Sequence, residues 1–525
     1  MLDKKKNKGI PHPYLGNSNV RWGAFDLADL AEMKFEESEY ERYGLQAGDL
    51  IVCEGGEPGR CAVWQDEAPD MKIQKALHRI RPKRGLNNYY LYYWFMLSAR
   101  TGGLEPYFTG TTIKHLTGKA LNELQLRLPP DGYQQAAVKV LRSLDDKIQL
   151  NHQINQTLEQ MAQAIFKSWF VDFEPVKAKI AALDAGGTEE DALLAAMQVI
   201  SGRSLYDADA SAAGATDQLA QMQAEQPEQY AELRAAAELF PSAMQDSELG
   251  EIPEGWEVAP FAELARLDTS SVKPGNAPNK QWEHYSIPAF DDGKSPVLEL
   301  GAEIKSNKYK VHPAGVLSSK LNPHFPRTWW PDVAEVDAAI CSTEFMQFVP
   351  RVPAHRPFVA GMVTSAPFQS GIMMRVTGST GSRQRAQPKQ VAVMEVVLPT
   401  TELVVKFSKL AEPLYQAQAR NIKQSQGLAG LRDTLLPKLL SGELTLLDTE
   451  APSSSDSTSP RMYGLGHRSG HLPKQSTKGG QAQRRPPAAA PARCLVDGAA
   501  LVHIWSAPRC KSEIAVEQKK EKLRP

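Results

Sequence analysis

The residue groupings in this chain that could do chemistry are few, and each is incomplete. A phosphate-cradling loop needs GxxxxGK[ST], so that backbone N–H groups and a lysine reach the phosphates together. The nearest stretch, GTTIKHLTGK at 110–119, sets its first glycine too far from Gly118-Lys119. No glycine-rich turn is followed about twenty residues later by an acid, so no nucleotide or methyl-donor site is legible. Pro331-Asp332 with Glu335 and Asp337 could start a nuclease site, but the needed Glu-x-Lys is absent. The eleven histidines include no HExxH, the spacing that puts two imidazoles on one helix face. Cys53 and Cys61 could form a disulfide or half a metal site, and Cys341, Cys494 and Cys510 supply no second pair. All five are read as reduced structural thiols, and no metal or cofactor is expected.

The chemistry left to such a chain is that of its surfaces, and the elements that would carry them are repeated. With 525 residues, 42% hydrophobic and 23% charged, the chain is too long for one core and has a globular composition. No apolar run approaches the roughly 18 residues of a membrane span. The basic start MLDKKKNKGI lacks a signal peptide's apolar stretch, so a cytoplasmic protein is expected. The net charge of −1 hides a partition. Residues 180–255 hold fifteen acids against Arg203 and Arg234, and 451–525 hold thirteen Lys/Arg against five acids. The remainder is mildly basic, which permits nucleic-acid binding without demanding it.

The stretch GTT (110–112), LNELQLRLPP (121–130) and a helix from near Gln135 recurs about 268 residues on. The second copy reads GST (378–380), VAVMEVVLPT (391–400) and a helix from near Glu402. In the first helix Ala137, Leu141, Leu144, Ile148, Asn151, Asn155, Leu158, Ala162, Ile165 and Trp169 alternate steps of four and three. In the second, Phe407, Leu410, Leu414, Ala417, Asn421, Gln424, Leu428, Leu431 and Leu435 do the same. That spacing predicts a coiled-coil seam on each, about 35 residues and roughly 50 Å long. Matching amides in mid-seam favour pairing of the two helices with each other, because a buried amide needs a partner amide. Pro413 is expected to kink the second helix or mark its start. Short β-rich runs such as GDLIVC (48–53) and AVMEVVLP (392–399) place compact mixed domains before each helix.

With these residues in view the chain resembles a known family. LDDKIQLNHQINQTLEQMAQAIFKSWFVDFEPVKAK (144–179) closely resembles the first central conserved region of Type I restriction-modification specificity subunits. SELGEIPEGWEV (247–258) is similar to that family's lead-in to its second target-recognition domain, and LRDTLLPKLLSGEL (431–444) to its distal conserved region. YLGNSNVRWGAFDL (14–27), GDLIVCEGGEPGRCAVW (48–64) and GTTIKHL (110–116) resemble a first target-recognition domain. The resemblance spans about residues 1–450.

It implies an α+β chain with two globular target-recognition domains, each reading half of a split DNA site. An antiparallel coiled coil of the two long helices would hold them apart. The expected boundaries are 1–130 for the first domain, 131–179 for the first helix and 180–255 for an acidic, partly helical insert. The second domain would span 256–400, its helix 401–450, and a disordered basic tail 451–525, dispensable for specificity. The implied partners are double-stranded DNA, two methyltransferase subunits and the restriction/translocase subunits, with no catalysis in the chain itself. A non-catalytic coiled-coil scaffold with two protein-binding domains is the alternative. The chain is also expected to begin inside its first domain. YLGNSNV starts fourteen residues in, whereas the second domain opens with GWEVAPFAELARLDTSS (255–271).

Base edges are read by Arg, Lys, Asn and Gln, and phosphates by cations and hydroxyls. The candidates in the first domain are Asn17, Asn19, Arg21, Arg60, Gln74, Lys75, Thr111, Thr112 and Lys114, and in the second Lys320, Asn322, Arg327, Arg383 and Arg385. Asn322-Pro323-His324-Phe325 is faintly similar to the Asn-Pro-Pro-Tyr/Phe loop of adenine methyltransferases, but His replaces the second proline. Subunit contacts are expected at Leu144, Ile148, Asn155, Leu158, Asn421, Leu431 and Leu435, and at Trp169, Phe170 and Phe173, which either cap the coil or dock a partner. Trp329-Trp330 is read as core.

Overall fold

The computed structural model describes residues 8–201, 212–377, 384–444 and 511–513. It is α+β and divides into two compact units, 1–142 with 433–525, and 143–432. The division falls inside both long helices, Asp131–Phe170 and Thr401–Ser441. No helix among the described residues is long and apolar enough to cross a membrane.

The first unit is built around strand Leu50–Cys53, central in an antiparallel sheet with Cys61–Val63 and Leu77–Ile80. All four of its residues are buried, and the period-two alternation of a strand sends them to two different cores. Leu50 and Val52 meet the aromatic helix Asn88–Arg100 through Tyr90, Tyr93 and Phe95. Ile51 and Cys53 face Phe35, Trp64 and Ile73, beside a second sheet of Ala31–Phe35, Ile10–Leu15 and Lys72–Ile73. Cys53 and Cys61 therefore sit in opposite cores as free thiols, and burial pushes both thiol pKa values up. Cys341 is also free and buried, while Cys494 and Cys510 lie outside the described residues.

The second unit repeats this logic with strand Val316–Ser319, also wholly buried. It lies in a four-stranded sheet ordered Ala265–Asp268, Phe345–Pro350, Val316–Ser319, Thr328–Trp329. A five-stranded sheet around Gln281–Tyr285 and Ala339–Cys341 completes the domain. The predicted strand near 392–399 is Glu395–Leu398, paired with Glu257–Pro260 of the Gly-Trp lead-in. Its counterpart in the repeat, Gln125–Arg127, pairs instead with Lys511–Glu513. An open strand edge offers unpaired N–H and C=O groups to any such segment. Those three residues thus depart from the disorder expected of 451–525; the rest of that stretch lies outside the described residues.

The stretch expected as one helix over 131–179 is two. The first ends at Phe170, Phe173 adopts a left-handed conformation at φ 56°, and a new helix runs Glu174–Asp184. The acidic insert continues as helices Glu189–Ile200, Ala212–Glu225 and Pro227–Glu238, closed on Leu193, Ala196, Met197, Leu219 and Ala237. Arg234, one of its two cations, bridges Glu190 on the neighbouring helix. Trp169 and Phe170 are buried against Phe240, Trp256, Phe358 and Phe407, so they are core residues of their own unit rather than an exposed docking face. Phe173, half-buried, meets Trp256 edge-on.

The two long helices lie side by side in opposite directions. Asp145 pairs with Arg432 at 2.6 Å, Asn151 donates to Gln424 at 2.9 Å and Ser425 at 3.1 Å, and Asn421 donates to Asn155 at 2.9 Å. Nearer the helix ends the Tyr133 hydroxyl lies 2.7 Å from the carbonyl oxygens of both Leu439 and Leu444, with its one proton to share between them. All ten predicted seam positions of the first helix are buried or half-buried, Leu144, Ile148 and Leu158 included. On the second helix Phe407 is buried, and Leu414, Ala417, Asn421, Leu428 and Leu435 are half-buried. Asn421 and Gln424 bond across to Asn155 and Asn151, while the most covered stripe runs one residue further on. Leu410 and Leu431 are 45% and 48% exposed. The covered stripe is Val404, Ser408, Ala411, Tyr415, Gln418, Ile422, Ser425, Ala429, Arg432, Leu436 and Leu439. Small and polar side chains occupy it because they answer the asparagines and Asp145 opposite, which a reading by apolarity alone passes over. The helix runs unbroken through Pro413, and its start is Thr401.

The register is testable at adjacent positions. Ala411→Asp places a charge where exposure is 0% and should cost several kcal/mol in chemical denaturation, roughly 3–5. Leu410→Asp, one residue earlier on the exposed face, should stay within about 1 kcal/mol of wild type.

Candidate nucleic-acid interface

Beyond its buried strand, the first unit makes a wide turn over 54–60. The Cys53 N–H donates to the Arg60 carbonyl at 2.8 Å and the Gly59 N–H to the Cys53 carbonyl at 3.0 Å. Gly56 takes φ +77°; Gly59 takes φ +94° and has Leu104 only 2.4 Å from where a Cβ would stand. The turn is a hub. Glu54 donates its N–H to the Ala76 carbonyl at 3.1 Å and accepts from the Leu116 N–H at 2.8 Å, fastening the loops that carry Gln74, Lys75, Thr111, Thr112 and Lys114. Asn17 donates to the Gly55 carbonyl at 3.1 Å, and Arg60 donates to the Asn17 carbonyl at 2.9 Å and to Glu57 at 2.8 Å. Trp22 donates to the same Glu57. Arg21 contacts the Ser18 carbonyl at 2.7 Å and Asp26 at 3.4 Å.

Seven of the nine first-domain candidates thus gather around one turn. Lys75, Thr111, Thr112 and Lys114 are exposed there, Gln74 is half-buried, and Arg60 is held by Glu57. Thr109 and His115 close their loop with reciprocal backbone bonds of 2.9 and 2.8 Å, and Lys114 lies 3.6 Å from Glu105. Asn19 is the correction. It is 8% exposed and its amide is spent on the loop itself, accepting from Gly16 N–H and donating to the Asp26 and Asp29 carbonyls. The polar type was visible in the sequence; that its partners lie within ten residues was not.

The second unit builds the same turn from different residues. The Ser319 N–H donates to the Arg327 carbonyl at 2.9 Å, Lys320 accepts from the Ala386 N–H at 2.9 Å, and Asn322 takes the left-handed φ of 48°. Ser319, Lys320, Asn322 and Arg327 stand where Cys53, Glu54, Gly56 and Arg60 stand in the first unit. Glycine and asparagine are the residues that adopt this backbone conformation most readily. The Lys320 N–H donates to the Glu344 carbonyl, whose carboxylate holds Arg385 through contacts of 2.9–3.2 Å. Asp291 holds Arg327 at 2.6 and 2.9 Å. Arg383 and the GST at 378–380 lie outside the described residues. Asn17 Oδ1 and Asn322 Oδ1 are buried acceptors with no partner among the described residues. Trp329 is buried core, and Trp330 is half-buried against the unit's other core, stacked on Tyr415 of the second long helix at 4.5 Å with Arg356 3.7 Å from its ring centroid.

Sequence reasoning missed Glu54 and His78, whose roles depend on contacts far along the chain. The buried His78 ring lies 2.8 Å from the Leu116 carbonyl and 3.9 Å from the Glu54 carboxylate.

The profile of the family described as "Type I restriction modification DNA specificity domain" matches residues 4–160. The specificity subunit of the Type I restriction enzyme HindI of Haemophilus influenzae is 29% identical over 358 residues, 63% of this chain and 72% of that one. The MjaIX specificity subunit of Methanocaldococcus jannaschii is 23% identical over 389 residues, 71% and 73% of the two chains. A Type I restriction-modification S subunit from M. genitalium aligns over 84% of this chain and 91% of its own at 13% identity, with a TM-score of 0.39. These sequence matches make the chain similar to the Type I restriction-modification specificity subunits.

Burial, the largest influence, holds the His78 imidazole below its ordinary 6.5, so the fold favours the neutral ring. As pH falls the unfolded chain takes up that proton first. The stability contributed by neutral His78 is therefore full above about 6.5 and declines below it. His78→Gln should flatten part of the loss of stability between about pH 7 and pH 5, measured by denaturation at each pH.

Proposed function

We propose that this chain is the DNA-reading subunit of a Type I restriction-modification complex and performs no catalysis itself. The observation that carries the reading is the pair of like turns, 54–60 and 320–327. Each has the same closing hydrogen bond and a left-handed residue in the same place, yet they bear opposite charges at Glu54 and Lys320. Two sites of one architecture and different side chains are what reading two unlike half-sites requires, because base edges are told apart by donor and acceptor pattern. The first recognition domain is assigned to about 1–130 and the second to 256–400, with the long helices as an antiparallel coiled coil. Methyltransferase subunits supply the methyl donor and adenine-methylating site, and restriction/translocase subunits supply cleavage.

In this reading most of the affinity comes from phosphate contacts and the discrimination from groups on the turns. Lys75 and Lys114, exposed beside the first turn, act on phosphate. Selection from a random duplex pool by the complex with its methyltransferase subunits should enrich one bipartite site. Lys75→Ala with Lys114→Ala should weaken binding to all sequences alike and lower the salt dependence by about two charges. The purified chain alone should transfer no methyl group. A scaffold would enrich no site, and methyl transfer by the lone chain would contradict the non-catalytic role.

A further inference from the structure

The turn over 320–327 carries an aromatic that its own fold does not use. Phe325 is 60% exposed at the tip. Its ring centroid lies 4.6 Å from that of His324, and the Arg327 guanidinium lies 5.9 Å from it. The tip is stiff. Pro323 is buried, Pro326 follows the phenylalanine, Asn322 is left-handed, and the Phe325 N–H donates to the Asn322 carbonyl at 2.9 Å. The two-pronged bond to Asp291 holds Arg327 in place beneath the ring.

A phenyl ring left in water forgoes the burial that normally draws it inward, and proline-stiffened backbone here keeps it out. The groups fastened to the same turn include the cations Lys320, Arg327 and Arg385, of which Arg327 is bridged to Asp291 and Arg385 to Glu344. An exposed ring on a stiff turn beside Lys320 and two arginines fits a polyanion whose interior is flat and stackable: duplex DNA. The first unit presents an apolar residue in like company, Ile113, 64% exposed between Thr112 and Lys114.

We propose that Phe325 is a wedge that enters the base stack at the half-site read by the second domain, with the His324 ring behind it and Arg327 and Lys320 toward the backbone. The inference rests on the DNA-reading function and adds to it a distortion of the duplex at one step. Such a step would be selected by how easily it unstacks, without a hydrogen bond to its bases.

The test uses the complex of this chain with its methyltransferase subunits and a duplex carrying the site that the wild-type complex enriches. 2-Aminopurine is placed at each position of the half-site in turn. Wild type should raise emission at one step; Phe325→Ala should abolish that rise and bind about tenfold more weakly, and Phe325→Trp should restore both. An unchanged melting temperature for Phe325→Ala is expected of a surface residue. Emission and binding equal to wild type in Phe325→Ala would overturn the wedge. So would a Phe325→Ala chain that assembles poorly yet binds DNA normally once assembled, which would make the ring a protein contact. A wild-type complex that enriches no site would overturn the DNA-reading function itself.

Discussion

The end of a buried strand has to dispose of its last N–H, and in this protein the solution shapes everything the surface can do. Cys53 and Ser319 each end a strand covered on both faces, and each gives its N–H to an arginine carbonyl across a wide turn. A buried donor left unpaired would cost about 1–3 kcal/mol, so the turn must close in this one way. Closure then puts the next residue, Glu54 or Lys320, where its carbonyl accepts from a segment distant in sequence, at Leu116 or Ala386. Loops from several parts of each domain are thereby gathered at one place, supported by a rigid sheet. Rigid support is what a reading surface needs, since loops ordered only on binding lose affinity to their own entropy.

The long helices solve a different problem. Their contact is too polar to be held by apolar burial alone: Asn151, Asn155, Asp145, Asn421, Ser425 and Arg432 meet in it. Sliding one helix past the other by a turn would leave these groups buried and unmatched, so the polarity specifies alignment more than it adds stability. Arg356 and the Trp330–Tyr415 stack tie the second domain's sheet to the same helix.

Much of this was legible in the sequence, and what was not has a physical reason. The repeat, the strand–Leu-Pro–helix boundary and the first helix's seam could be read because each is a periodic or local signal. The second seam is legible only in part: Phe407 and Asn421 lie in the contact, but Leu410 and Leu431 are on the open face, because small and polar residues such as Ser408, Ala411, Ser425 and Arg432 hold the most covered positions. Seven of the nine candidate polar residues of the first domain lie around one turn, because turn-rich segments cluster at strand ends. Asn19 could not be told from Asn17 without knowing which amide the loop consumes. The likeness of the two turns was hidden because Gly56 and Asn322 share a backbone conformation and no side chain.

The most direct test of the account is the methylation motif directed by a chain altered in one turn alone. Asn322→Gly keeps the left-handed backbone while removing the amide, and Lys320→Ala removes the neighbouring charge. Methylome sequencing of cells carrying the complete system with this double variant should show one half of the bipartite motif relaxed and the other half unchanged. A motif identical to wild type, or one altered in both halves, would contradict the assignment of one half-site to each turn.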